Sequence, residues 1–213
     1  MPDLDALREE YKTATLDESE VRPDMYAQFH CWFEQAAASG LREPNAMTLA
    51  TASADGSPSA RIVLLKGVDD SGFTFFTNYA SVKGQELAAN PRAALVFYWN
   101  ELERQVRIQG VVGKVSRQET VEYYAVRPLK SQIGATVSPQ SQVIPDRRWL
   151  EDRMAEAEAL LAGASPVCPE AWGGYRLRPH TVEFWQGRRS RLHDRIVYRL
   201  QADGSWLRER LAP

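Results

Sequence analysis

AMTLATA at 46–52, ARIVLLKG at 60–67, GFTFFTN at 72–78, AALVFYW at 93–99 and QVRIQGVVGKV at 105–115 are short runs rich in Val, Ile, Leu, Phe and Thr. Such runs suit the pleated, half-buried surface of a strand. Turn-forming clusters separate them: Ala54-Asp55-Gly56-Ser57-Pro58, Asp69-Asp70-Ser71-Gly72 and Asn90-Pro91. Connections this short join antiparallel neighbours, so residues 46–115 predict an antiparallel meander or small barrel. One helix interrupts it, roughly Ser81 to Ala89, with Asn78 or Ser81 as candidate cap.

Upstream, Met25, Phe29, Trp32, Phe33 and Ala36 recur at three- and four-residue spacing, which predicts an amphipathic helix from Asp24 to Ser39 stopped by Gly40. Residues 1–22 are polar apart from a helix-like piece at Leu4 to Tyr11 and read as an arm, free to be flexible, outside a single domain over 23–213. Downstream, a helix is expected from Arg117 to Val126, a break at Pro128, a loop-rich segment over 131–145 and a helix from Arg148 to Ala162. After a linker at 163–169, WGGYRLRP, TVEFWQG, RLHDRIVYRL and SWLRERLAP read as the last three or four strands. The fold class is mainly β with flanking helices, α+β.

The chain has 213 residues, 44% hydrophobic and 25% charged, with a formal net charge of −2, an ordinary globular composition. That charge gives no long-range attraction for nucleic acid, so local basic clusters are better read as sites for small anions. No apolar run approaches a membrane span and the N-terminus lacks a signal peptide's apolar core, so a cytoplasmic location is expected. Cys31 and Cys168 form no CxxC or Cys/His cluster, which argues against a disulfide or a metal site.

Phe184 to Arg195, FWQGRRSRLHDR, is the most unusual stretch chemically. Read as a strand, it places Arg191, His193 and Arg195 on one face, just after a Trp, which suits a planar anionic ligand against an aromatic wall. A solvated edge strand protected by its charges is the competing reading. Arg61 and Lys66 bracket an apolar strand and point to opposite faces. Lys83, near a helix start and following Thr77, Asn78 and Ser81, suits a phosphate. Tyr123 and Arg127 are four apart and share a helix face, with Ser131 just beyond. Neither GxGxxG nor GxxxxGK[ST] occurs, so a nucleotide would be held by the barrel itself.

RIVLLK at 61–66, FFTN at 75–78, LERQVRIQG at 102–110, RPLKSQIGA at 127–135, QSQ at 140–142, WGGYR at 172–176, EFWQG at 183–187, RLHDR at 191–195 and the terminal RLAP together resemble the pyridoxamine (pyridoxine) 5′-phosphate oxidase family over about residues 40–213. The resemblance implies an FMN-binding split β-barrel, built as a homodimer with FMN at the subunit interface. It implies oxidation of pyridoxamine and pyridoxine 5′-phosphates by O2 to pyridoxal 5′-phosphate and hydrogen peroxide, in vitamin B6 biosynthesis and salvage. It assigns Arg61, Ile62, Val63, Leu64, Leu65 and Lys66, with Phe76, Thr77 and Lys83, to FMN, and adds Gln140, Ser141, Trp185, Arg195 and, from the partner subunit, Gln105. Lys66, Tyr123, Arg127 and Ser131 resemble its clamp on the substrate 5′-phosphate. Arg191 and His193 resemble the pair that covers the pyridine ring, with Arg191 nearest the reacting carbon.

Three departures stand out. Val82 occupies a position that is often basic in the family, Phe76 one that is often Tyr, and Arg8 to Tyr11 only loosely resembles the segment that closes over substrate. Two other readings keep the barrel: a reductase using another flavin or a deazaflavin, and a non-catalytic protein that binds FMN or pyridoxal phosphate.

Overall fold

The computed structural model describes Tyr11 and residues 14–213. The expected piece from Leu4 and the lid residue Arg8 lie outside the described residues. Ten of the elements build the barrel: β1 (Ala46–Ala52), β2 (Pro58–Leu64), β3 (Gly67–Asp69), β4 (Gly72–Asn78), β5 (Arg92–Trp99), β6 (Arg104–Lys114), β7 (Trp172–Gln186), β8 (Asp194–Leu200), β9 (Trp206–Arg210) and the core helix α1 (Met25–Ala38). The other α-helices are α2 (Val82–Ala89), α3 (Arg117–Ala125), α4 (Leu129–Val137) and α5 (Arg147–Leu161). The sheet order is β2-β1-β5-β6-β7-β4-β3, with β8 also on β7 and β9 on β8, and all pairings are antiparallel. This is the antiparallel barrel that the strand pattern predicts, in the split form that the resemblance implies.

Helix α1 forms because Asp24 caps it, accepting from Ala27 N at 2.8 Å, and because its apolar stripe has a place to go. Met25, Phe29, Trp32 and Ala36 are all buried. The Phe29 ring meets Phe73 at 4.9 Å and Phe97 at 5.2 Å, edge to face, so the helix plugs the barrel's aromatic core.

Strand β7 splits the barrel. Its first half pairs with β4, from Trp172↔Asn78 to Leu177↔Phe73, and its second half pairs with β8, from Thr181↔Arg199 to Gln186↔Asp194. On its other side β6 follows it throughout, with a register shift at Gln109/Gly110. The sequence reading broke this strand in two at Pro179. The structure keeps it whole because Pro179 falls in the gap between β4 and β8, where its missing N–H breaks no ladder bond on that side.

Three further expectations change. Residues 129–137 are helical, not loop: Pro128 ends one helix and opens the next, and α4 is held by burial of Gln132 and Ile133. Arg191 and His193 are not on a strand. A short 3-10 turn covers Arg189–Arg191, with Ser190 and Arg191 at φ 55° and 60°, and β8 starts only at Asp194. The segment before Pro23 is partly core, because Leu16 and Val21 are buried in the main cluster. It is also tied down: Leu16 N donates to Asp194 Oδ2 at 3.1 Å and Arg210 Nη2 to Leu16 O at 3.0 Å.

Candidate active site

A cavity of about 460 Å³ is lined by Lys66, Phe76, Tyr123, Arg127, Ser131 and Trp172. The expected phosphate clamp is therefore brought together. The α3–α4 junction supplies Tyr123, Arg127 and Ser131, while Lys66 follows β2, its backbone N–H donating to Thr74 O at 2.8 Å. One wall is aromatic: Phe76 stacks on Tyr123 at 4.0 Å and on Trp172 at 5.4 Å. Gly174 makes this possible, since a Cβ there would fall 2.8 Å from the Phe76 ring. The Arg127 guanidinium lies 4.6 Å from the Trp172 ring centre, yet its Nη1 is buried with no hydrogen-bond partner. A buried guanidinium nitrogen left without an acceptor is costly, and an anion in the cavity would satisfy it. Gln132 braces the turn behind it, donating to Arg127 O at 2.8 Å and Ala125 O at 3.3 Å.

A second cationic group gathers at the start of α2, which Ser81 caps by accepting from Gly84 N. Thr77 Oγ1 and Lys83 Nζ both donate to Gln140 Oε1, at 3.0 and 3.1 Å. Burial, and after it the nearby Arg61, hold Lys83 below the ordinary lysine value, with Glu86 opposing. Two cations held this close suit a dianionic phosphate. Arg61 ion-pairs with Glu86 at 3.1 Å. Ser141, at φ 70°, follows Gln140 on an exposed loop, and Val82 brings no charge to the helix start. Within 61–66, Leu65 is buried in the core, while Ile62, Val63 and Leu64 border the clamp cavity.

The remaining predicted residues form a third group. Gln105, Trp185 and Arg195 stand in one cross-strand row, since Trp185 pairs with Gln105 on β6 and with Arg195 on β8. Arg195 is held by both Glu183 oxygens, at 3.0 and 3.1 Å, which push its pKa up, and by Ala212 O at 2.8 Å. The His193 ring lies 4.6 Å from Trp185, and Tyr11 meets both rings edge on, at 5.6 and 5.7 Å. His193 Nδ1 accepts from Arg188 N at 3.1 Å, which assigns the ring proton to Nε2. Burial first, then Arg191, lowers the His193 pKa, and Asp194 opposes them.

The first and third groups lie at opposite ends of β7. Phe76 pairs with Gly174, whereas Trp185 lies eleven residues farther along the same strand, about 35 Å of extended chain. A single chain therefore does not bring the phosphate clamp to His193. Two chains can, if the His193 end of one meets the clamp of the other.

Residues 33–161 match the family described as pyridoxamine 5′-phosphate oxidase, and residues 172–213 match the pyridoxine 5′-phosphate oxidase C-terminal dimerisation region. The chain belongs to the pyridoxamine 5′-phosphate oxidase family. It is 58% identical, over the full length of both chains, to the pyridoxine/pyridoxamine 5′-phosphate oxidase of Cupriavidus pinatubonensis. It is also 58% identical to that of Pseudomonas paraeruginosa, covering 97% of each chain. Among solved structures, PhzG from Burkholderia lata 383 in complex with tetrahydrophenazine-1-carboxylic acid superposes with a TM-score of 0.90 at 30% identity, covering 96% of this chain and all of that one. An FMN-binding protein from Nostoc punctiforme, at 16% identity and a TM-score of 0.69, shares the fold. The dimerisation region contains Trp185, Arg191, His193 and Arg195 of the third group.

Sequence reasoning gave no role to Trp172, Gln132, Glu86 or Glu183. Glu86 could have been found from its three-residue spacing to Lys83 on one helix, and Glu183 from its alternation with Trp185 on one strand. Among the described residues no group of His, Cys, Asp or Glu could hold a metal ion, and no helix is long and apolar enough to cross a membrane.

Proposed function

We propose that the protein is an FMN-dependent oxidase that converts pyridoxamine 5′-phosphate and pyridoxine 5′-phosphate to pyridoxal 5′-phosphate, with O2 as electron acceptor. The observation that carries this reading is the unpartnered, buried Nη1 of Arg127, in a cavity shared with Lys66, Tyr123 and Ser131 and walled by stacked aromatic rings. Those four side chains offer a guanidinium, an ammonium and two hydroxyls, a donor set for a phosphate monoester.

The residues of the second group fit FMN: Lys83 and Arg61 for its phosphate, with Thr77, Gln140 and Ser141 beside them. Gln105, Trp185 and Arg195 of the partner subunit would complete that site, and Arg191 and His193 of the partner subunit would cover the substrate's pyridine ring. Bound FMN would supply the redox chemistry, the two-electron oxidation of the substrate at C4′ with O2 as the final acceptor, reduced to hydrogen peroxide. The chain's own part is placement and exclusion of water. The clamp fixes the phosphate end, so C4′ is held at a set distance from it. Neutral His193 presents an Nε2–H donor to the ring's polar substituents, and Arg191 adds positive charge by position. When the substrate is the amine, the oxidised product is an imine, which water hydrolyses to the aldehyde and ammonia. Cys31 and Cys168 are free thiols, which suits a reducing compartment, and we place the enzyme in the cytoplasm.

The test is the visible spectrum of the purified protein loaded with FMN. Adding pyridoxamine 5′-phosphate without oxygen should bleach the flavin, and air should restore it with pyridoxal 5′-phosphate formed. Arg127→Ala should need at least roughly tenfold more substrate for half-bleaching, the loss expected for a charge-assisted hydrogen bond. A flavin that stayed oxidised with both the amine and the alcohol phosphates would refute the assignment.

A further inference from the structure

Arg61 has five N–H donors, and the protein interior already takes four of them. Its Nη1 donates to Leu49 O at 3.3 Å and to Thr51 Oγ1, and its Nη2 donates to Ser59 Oγ and to Glu86 Oε2, the last at 3.1 Å. Both hydroxyls pass the interaction on: Thr51 Oγ1 donates to Glu86 Oε2, and Ser59 Oγ donates to the Glu86 oxygens at 2.7 Å. The carboxylate is thus the terminus of every path but one that leaves the guanidinium plane. Its side chain is only 12% exposed and that of Arg61 20% exposed, so water does not substitute freely for either. Burial pushes the Glu86 carboxyl up, but hydrogen bonds from Thr51, Ser59 and Arg61 outweigh it and keep it ionised.

We propose that Glu86 is a positioning residue for the cofactor's phosphate: through Thr51 and Ser59 it locks the Arg61 guanidinium in one orientation beside Lys83, leaving only Nε–H to donate outward. This rests on the assignment of Arg61 and Lys83 to the FMN phosphate. The same helix carries Lys83 and Glu86 one turn apart, so the ammonium and the anchor of the guanidinium move as one rigid piece. Glu86 also leaves the pair of cations with one surplus positive charge in the absence of ligand, which limits their mutual repulsion. Arg61 therefore acts as a fixed donor whose direction is set from behind, and it has no spare Nη hydrogen with which to follow a misplaced phosphate.

The test compares FMN with riboflavin, which lacks the phosphate, by titrating each against the apoprotein and following quenching of flavin fluorescence. Wild type should prefer FMN strongly. Glu86→Ala should weaken FMN by roughly ten- to a hundredfold and leave riboflavin within about twofold, whereas Glu86→Gln, which keeps an acceptor for Arg61, should stay close to wild type. Equal losses for FMN and riboflavin in Glu86→Ala would overturn the proposal, since general damage to the fold predicts that result, and so would an unchanged FMN affinity. If Glu86→Ala does not fold, Ser59→Ala removes one relay and should reduce the FMN preference alone, and no change in that preference would count against the idea. A wild type that bound riboflavin as tightly as FMN would instead refute the phosphate-site assignment on which the proposal rests.

Discussion

Single residues carry the chemistry, and their states follow from their neighbours. His193 is the clearest case. Burial and the charge of Arg191 favour its neutral form, so its folded pKa lies below the ordinary 6.5. The unfolded chain binds that proton more readily, so His193 withdraws stability as the pH falls below about 6.5 and has no effect well above it. An NMR titration of the His193 ring should give a midpoint under 6.5, and Arg191→Gln should move it upward. A midpoint at or above 6.5 in the wild type would mean that the ring is not held as described. The sequence offered Lys66, Tyr123, Arg127 and Ser131 as a donor set for a phosphate, and they line one cavity. Ion-pair partners were not legible in it: the Arg195–Glu183 pair and the Arg61–Glu86 network join residues 12 and 25 positions apart, and only the fold sets those distances.

At the scale of elements, periodicity and turn chemistry found β1, β2, β4, β5, β6, α1, α2, α3 and α5 with small errors at their ends, and missed the three-residue β3. The failures have local causes. Helix α4 contains Gly134, Thr136 and Val137, all weak helix formers, and it exists because Gln132 and Ile133 are buried. Strand β7 looks interrupted at Pro179 only if both of its neighbours are assumed to be continuous. Helix α2 shows how tightly an element can be seated. A Cβ on Gly84 would fall 2.3 Å from Tyr79 O, and Tyr175 Oη already donates to Gly84 O at 3.2 Å. Gly84→Ala should therefore push the helix out and destabilise the protein by roughly 1–3 kcal/mol, as overpacking does. Lys83 would move with the helix, so FMN affinity should fall as well. A urea midpoint equal to that of wild type would show that the Tyr79 backbone can yield.

At the scale of the whole molecule, the proposed site is divided between the two ends of β7. The clamp at its start and the Trp185–His193 group at its end are separated along one continuous strand, and the C-terminal dimerisation region carries the latter. The barrel was legible from the sequence, and so was the family from its ordered motifs. The separation of the half-sites was not, because it depends on reading residues 172–186 as a single strand. Subunit complementation tests it most directly. One chain would carry Arg127→Ala and the other Arg191→Ala, and the two would be coexpressed and assayed for pyridoxal 5′-phosphate formation at a substrate concentration too low for either homodimer to turn over appreciably. If each site draws Arg127 from one subunit and Arg191 from the other, mixed dimers hold one intact site, and random pairing should restore about a quarter of wild-type activity. If both residues of a site came from the same chain, no mixed dimer would contain an intact site, and activity no higher than that of the two homodimers would contradict the account.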